Sequence, residues 1–324
     1  SSGLDVLNSK TGAFTHYTND PSKQNSLSDN RVYSLVEDRV GNIWIGTYGG
    51  GLNKLDRLTD KFSRFQFKEN DSTSISSNAT WSLALDDEGD LWIGTFGGGV
   101  NVLNLDNQKF TYYKNHPADS TSIADDNIIR IYKDRKGNMW VGTTKGLSRY
   151  SKENNTFKNY DEKNGLANNF IYGILEDEEG NLWISTNNGI SKFNPEKESF
   201  KNYYVQDGLQ GNEFNQNAFA KDYKTGRLLF GGPNGFNVFN PDDVKENSFV
   251  PPIVYTNYIR YNSDDEEGKP IFEKGISARD SILLTYKDNI VTLQFAALSY
   301  YNNSQNRYRY KLEGFNDNWI QLGN

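Results

Sequence analysis

The sequence has no cysteine, which excludes a disulfide framework and any thiolate metal site and leaves the redox compartment open. Histidine is almost absent too, with only His16 and His116, so a Ser-His-Asp triad or a His-rich metal centre has few parts to use. No catalytic residue, no metal and no cofactor are therefore expected. No run of about 18 apolar residues appears, and Ser1-Ser2-Gly3 lacks the basic, then apolar, pattern of a signal segment. Excess positive charge is missing as well: 35 Lys and Arg against 42 Asp and Glu give a formal charge of -7. Such a chain has no electrostatic reason to approach nucleic acid or anionic lipid.

What is plentiful is glycine, at 29 residues, and aromatic side chains, at 14% of 324 residues, a composition that suits many short strands joined by tight turns. One phrase also recurs: Gly41-Asn42-Ile43-Trp44-Ile45-Gly46-Thr47, Gly89-Asp90-Leu91-Trp92-Ile93-Gly94-Thr95, Gly137-Asn138-Met139-Trp140-Val141-Gly142-Thr143 and Gly180-Asn181-Leu182-Trp183-Ile184-Ser185-Thr186. The tryptophans are 48, 48 and 43 residues apart, and a decayed copy follows at Gly226 to Gly232. A period of this length marks a repeat architecture. Within the first unit the pattern predicts strands at Val32 to Glu37, Ile43 to Thr47, Leu52 to Asp56 and Phe62 to Phe67. Strands this short cannot bury both faces alone, so four-stranded sheets must stack on their neighbours, and radial stacking gives a β-propeller.

The fold class expected is thus all-β, a β-propeller of four-stranded blades followed by an incomplete Ig-like β-sandwich. The segments Leu4 to Asn8 and Ala13 to Tyr17 match the third and fourth strands of the repeat, so the chain enters halfway through a blade. Residues 1–248 then read as half a blade plus five blades, part of a seven-bladed ring with further blades upstream. After Asn240-Pro241-Asp242-Asp243 the repeat stops. Residues 249–324 read as a second module with strands at Ile253 to Tyr261, Ser281 to Tyr286, Ile290 to Ser299 and Arg307 to Glu313, cut before a sandwich is complete. The charged stretch Asp264 to Lys269 reads as a loop.

The acidic turns, such as Glu37-Asp38-Arg39-Val40-Gly41-Asn42, are too short for a calcium loop and read as structural. The repeated tryptophans read as core. The loops Tyr48-Gly49-Gly50-Gly51 and Phe96-Gly97-Gly98-Gly99 are followed by no Lys-Ser/Thr pair and helix, so they cradle no phosphate. In a propeller these loops and the blade-to-blade connectors emerge on one face, which is the expected binding surface. Its candidate ligand contacts are Arg31, Tyr48, Trp81, Phe96, Lys145, Asn169, Phe170, Asn188, Glu213 and Asn215. Aromatic faces stack on apolar ring surfaces while amides and Arg fix hydroxyls, so an oligosaccharide suits them; the same asparagines also serve as ordinary turn residues.

The segments from Asp29 to Asn53, with Asp207 to Asn215, resemble two-component regulator propeller repeats over about residues 3–243. Leu298-Ser299-Tyr300-Tyr301, Tyr308 to Phe315 and Trp319 resemble the Y_Y_Y module. In this order the pair is similar to the periplasmic sensor of Bacteroidetes hybrid two-component systems. The resemblance implies a sensor without enzymatic activity of its own, which binds a glycan fragment. It further implies pairing as a homodimer through Y_Y_Y modules, and a downstream transmembrane helix, missing here, that passes the signal to a histidine kinase. The expected location is the periplasmic part of an inner-membrane protein controlling polysaccharide use. Two other classes compete. A propeller lyase or glycosidase would need a His, Tyr or carboxylate cluster at the channel mouth, and a protein-interaction scaffold would need a large exposed apolar patch there.

Overall fold

The computed structural model describes residues 3–244, 251–262, 269–276, 281–298 and 308–322. Two compact units divide the chain, Ser1–Val244 and Lys245–Asn324. The first opens on an antiparallel hairpin, β1 (Leu4–Leu7) and β2 (Phe14–Tyr17). A first blade follows: β3 (Val32–Glu37), β4 (Ile43–Thr47), β5 (Gly51–Asp56) and β6 (Lys61–Phe65). The second holds β7 (Thr80–Leu85), β8 (Leu91–Thr95), β9 (Gly99–Leu103) and β10 (Phe110–Tyr113). The third holds β11 (Ile128–Lys133), β12 (Met139–Thr143), β13 (Leu147–Ser151) and β14 (Thr156–Tyr160). The fourth holds β15 (Ile171–Glu176), β16 (Leu182–Thr186), β17 (Gly189–Asn194) and β18 (Ser199–Tyr203). A fifth sheet has three strands among the described residues, β19 (Phe219–Lys221), β20 (Leu228–Gly232) and β21 (Gly235–Phe239).

Each of the four complete sheets is an antiparallel meander, and its first strand packs on the first strand of the next blade, β3 on β7, β7 on β11, β11 on β15 and β15 on β19. That is the radial stacking of propeller blades. The repeated phrase explains it physically. Trp44, Trp92, Trp140 and Trp183 are buried in the second strands, where each packs against aromatic or aliphatic side chains of its own blade and the next. The glycine two residues on allows close approach: a Cβ on Gly94 would press into Ile128 of the third blade, and one on Gly142 into Ile171 of the fourth.

The acidic turns complete the core. Asp38, Asp86, Asp134 and Asp177 each accept the indole N–H of their own blade's tryptophan at 2.8 to 2.9 Å. Each also takes backbone N–H groups of its turn, as Asp134 does from Lys136 and Asn138. A buried indole N–H without an acceptor would cost about 1 to 3 kcal/mol, so turn and core residue form one unit. Charged staples then join the turns of neighbouring blades. Arg39 donates to the Glu88 carbonyl at 3.0 Å, Lys133 pairs with Asp87 at 2.7 Å, Arg135 with Glu178 at 2.6 Å, and Lys221 with Glu178 at 2.7 Å. Between the fifth and first blades, Asn217 Nδ2 donates to the Tyr33 carbonyl at 3.2 Å.

The second unit contains a three-stranded antiparallel sheet of β22 (Ile253–Asn262), β23 (Ile271–Lys274) and β24 (Asp288–Ala297), ordered β23-β22-β24. A pair, β25 (Tyr308–Tyr310) and β26 (Ile320–Leu322), lies beyond. The strand expected at Ser281 to Tyr286 does not form. Most of its apolar side chains are exposed, Leu283 and Tyr286 at 86% and 91%, and Asp288 Oδ2 accepts the Thr285 N–H to make a turn instead. The edge place is taken by β23, a stretch to which the sequence assigned no strand. The junction at 248/249, the loop residues Asp264 to Gly268 and the segment Ser299-Tyr300-Tyr301 lie outside the described residues.

Candidate ligand-binding site

Two kinds of loop meet on one face of the first unit. In the first, second and fourth blades the loop after the second strand is hydrogen-bonded to the connector entering the next blade: Gly51 N–H donates to the Asn78 carbonyl at 2.9 Å, Gly99 to Asp126 at 2.9 Å and Gly189 to Asn212 at 2.6 Å. The residue just past each second strand is also tied to its own blade's entry, as Tyr48 N–H to the Arg31 carbonyl at 3.0 Å and Phe96 to Ala79 at 2.9 Å. Backbone geometry therefore sets the height at which Tyr48 and Phe96 stand.

The first strand of each blade contributes the rest. Its pairing with the second strand slips by one residue near the start, between Val32 and Ser34, Thr80 and Ser82, Ile128 and Arg130, and Ile171 and Gly173. The residues left unpaired by these bulges are Tyr33, Trp81, Ile129 and Tyr172. A bulge re-aims the side chain it releases, and here it sends aromatics to the loop-bearing face. Tyr33 stacks on Tyr48 and on Trp81 at ring-centroid distances of 5.6 Å each, and Trp81 stacks on Phe96 at 4.5 Å. The result is a continuous aromatic platform across the first and second blades. Tyr48 and Phe96 remain 39% exposed, and the Trp81 indole N–H has no acceptor among the described residues.

At one edge, Arg31 lies over the Tyr48 ring at 4.9 Å. Its guanidinium is held in a fork by Asp29, at 3.1 Å to one oxygen and 2.7 Å to the other. That bond keeps the Asp29 carboxyl below the usual carboxylate range. The pair is preorganised, so the exposed guanidinium edge is fixed in place before any ligand arrives.

Of the residues expected from sequence, Arg31, Tyr48, Trp81 and Phe96 come together. Phe170 joins a second, smaller cluster on the fourth blade, 4.9 Å from Tyr172, whose hydroxyl donates to Asn187 Oδ1 at 3.3 Å. Burial raises the Tyr172 phenol, and the Glu213 charge adds to it, which places Glu213 beside this cluster. Lys145 is engaged with Asp125 at 3.5 Å on the third blade, where the bulge position carries the buried Ile129 and the aromatic surface is interrupted. Asn169 shapes its loop by accepting the Glu162 N–H at 2.9 Å. Asn188 and Asn215 are exposed, and their own backbone N–H groups are used by Thr186 Oγ1 and the Gly231 carbonyl. Tyr33 and Tyr172 were missed. The signal for them is an aromatic at the second position of the first strand in three of the four repeats.

Four segments, residues 26–49, 74–97, 122–145 and 165–188, match the family model for the Two component regulator propeller. Each spans a connector, the bulged first strand, the acidic turn and the tryptophan strand. The chain is 29% identical over 115 residues to Histidine kinase P4 of Formosa agariphila, a stretch covering 35% of this chain and 8% of that protein. Among solved structures, it is similar to the extracellular domain assigned to the hybrid two component system BT3049 from B. thetaiotaomicron. The TM-score is 0.72 at 29% identity, over 99% of this chain and 42% of that one. The corresponding domain of BT4673 from the same organism shares the fold, with a TM-score of 0.53 at 21% identity over 97% of this chain and 47% of that one. The chain thus carries two-component regulator propeller repeats and resembles extracellular sensor domains of hybrid two-component systems, while spanning less than half the length of these solved relatives. No helix among the described residues is long and apolar enough to cross a membrane.

Proposed function

We propose that this chain is part of the periplasmic ligand-sensing region of a hybrid two-component histidine kinase and that its propeller binds a glycan fragment. The observation that carries this reading is the platform of Tyr33, Tyr48, Trp81 and Phe96 with the clamped Arg31 at its edge. Stacked aromatics take the apolar faces of sugar rings, and an oriented guanidinium takes hydroxyl or carboxylate oxygens at their rims. The similarity to extracellular domains of hybrid two-component systems supports the signalling role. In the full-length protein the second module, a Y_Y_Y sandwich, pairs with its copy as a homodimer. A downstream helix anchored in the inner membrane carries the change to the kinase, which controls polysaccharide use. For a signal to pass, the glycan must bind one dimer arrangement better than the other, and that difference in affinity is all it can deliver.

The test is calorimetric titration of the chain against a panel of plant and host oligosaccharides, with product analysis of the same samples. Saturable binding without cleavage, lost in Trp81→Ala, is the expected result. Cleavage of the sugar, or binding that Trp81→Ala leaves untouched, would overturn it.

A further inference from the structure

The opposite end of the blades, where the acidic turns lie, holds a cavity of about 580 Å³ between the second and third blades. The equivalent groove between the first and second blades holds about 190 Å³. Both are lined by the tryptophan strand, and two departures from the repeat set the surroundings of Trp92 apart.

The first is a missing cation. Opposite Trp44, Trp140 and Trp183 in the neighbouring third strand stand Lys54, Arg149 and Lys192, and each lies over its indole at 5.4 to 5.7 Å. Opposite Trp92 stands Val102. The space that a long cationic side chain fills in the other blades is open here. Its walls are the Trp92 ring, Val102 and the rings of Tyr113 and Tyr150, which lie 5.9 Å and 5.0 Å from Trp92.

The second is an added carboxylate. In the other three blades an asparagine, Asn42, Asn138 or Asn181, donates its amide N–H to the turn aspartate at 2.8 to 3.0 Å. In the second blade that residue is Asp90. One of its oxygens accepts from Asn104 at 2.7 Å. The other has no donor among the described residues, and Asp86, Glu88 and Asp106 are the charges around it. The cations on the third-blade wall are already engaged: Lys152 with Glu88, Lys158 with Glu198, and Arg149 with Asn138. Beside Trp92 the cation that covers the other indoles is gone and the aromatic box is kept, while Asp90, which also borders the groove between the first and second blades, offers a carboxylate oxygen with no donor among the described residues.

We propose that this groove is a second binding site, distinct from the aromatic platform, for a small ligand carrying an ammonium group on a ring, the ammonium at Asp90 and the ring against Trp92, Tyr113 and Tyr150. The cavity is of ordinary size for a ligand of one or two rings, and an ammonium over aromatic faces beside a carboxylate is the arrangement such cations favour. An amino sugar and an arylalkyl amine share this chemistry. The inference does not depend on the glycan reading of the platform.

Two substitutions test it by restoring the protein's own repeat, which protects the fold. Asp90→Asn returns the residue of the other three blades, and Val102→Lys returns the cation over the indole. Calorimetric titration with glucosamine, the glucosamine dimer and tyramine, against glucose and tyrosol as uncharged counterparts, should show saturable binding of at least one amine. Each substitution should weaken that binding at least tenfold while Trp81→Ala leaves it unchanged. Whichever amine binds identifies the source. Failure of every amine to bind the native chain, equal binding of the uncharged counterparts, or unaltered amine binding in Asp90→Asn would overturn the proposal.

Discussion

The two faces of the propeller are built on opposite rules. At the turn-bearing end the four complete blades repeat one device, an aspartate that accepts its own blade's tryptophan N–H. At the loop-bearing end the equivalent bulge position carries Tyr33, Trp81, Ile129 or Tyr172. Repetition therefore marks what the fold needs, since each blade must solve the same packing problem. Variation marks where the fold leaves a surface free, the surface to which the proposed sensing role assigns recognition. The groove beside Trp92 fits the same rule, because it opens where Val102 replaces the cation that covers the other three indoles.

That contrast can be broken by substitution. Trp140→Ala should be the most damaging change, costing about 3 to 5 kcal/mol in urea or thermal unfolding, because it empties a fully packed site between blades. Trp81→Ala should do the reverse, changing the melting temperature little while lowering affinity for the bound oligosaccharide by more than tenfold, as expected of a central aromatic contact. If Trp81→Ala unfolds the chain as readily as Trp140→Ala, the division between the faces fails. Asp134→Ala should cost about 1 to 3 kcal/mol in urea unfolding, since it leaves the buried Trp140 N–H and two turn amides without their acceptor.

The smallest effect sharpens the comparison through pH. Burial, and after it the neighbouring Asp86 charge, holds the Asp90 carboxyl above its ordinary value. The folded state thus binds this proton more tightly than the unfolded chain does, so its contribution is complete below the unfolded pKa of about 3.9 and is lost as pH rises through the folded value. Asp90→Asn should accordingly melt higher than the native chain at pH 7, and the gap should close as pH falls toward 4. A thermal series across that range checks the sign; a gap independent of pH would show that the surroundings do not raise the Asp90 carboxyl.

Much of this was legible in the sequence, for reasons that differ by region. The strands of the first blade could be placed within a residue or two, since Trp-Ile-Gly-Thr recurs between acidic and glycine turns at fixed offsets. Tyr48 and Phe96 were legible as surface residues because they flank the glycine loops, and Arg31 and Trp81 because they lie where the blade-to-blade connectors enter the first strands. Tyr33 and Tyr172 were not, because a one-residue slip reverses the face to which a strand residue points, and alternation alone assigns them to the wrong side. The meaning of Asp90 and Val102 depended on register: their deviation from the repeat is visible in sequence, but only pairing places Val102 across from Trp92. In the second unit Ser281 to Tyr286 has strand-like composition and no partner, a case in which propensity without burial decides nothing.

The tryptophan–aspartate bond also gives the protein an optical signature. Of six tryptophans, four are buried with their indole N–H fixed to a carboxylate, and Trp319 is 56% exposed. Trp81 differs from them all, being stacked between Tyr33 and Phe96 with an unbonded N–H. Emission from the four locked indoles follows the packing of the blades, and if the platform takes a sugar as proposed, a neutral oligosaccharide should perturb Trp81 before them. Folding and the proposed occupancy would thus fall on different indoles, and Trp81→Phe would tell them apart without a label.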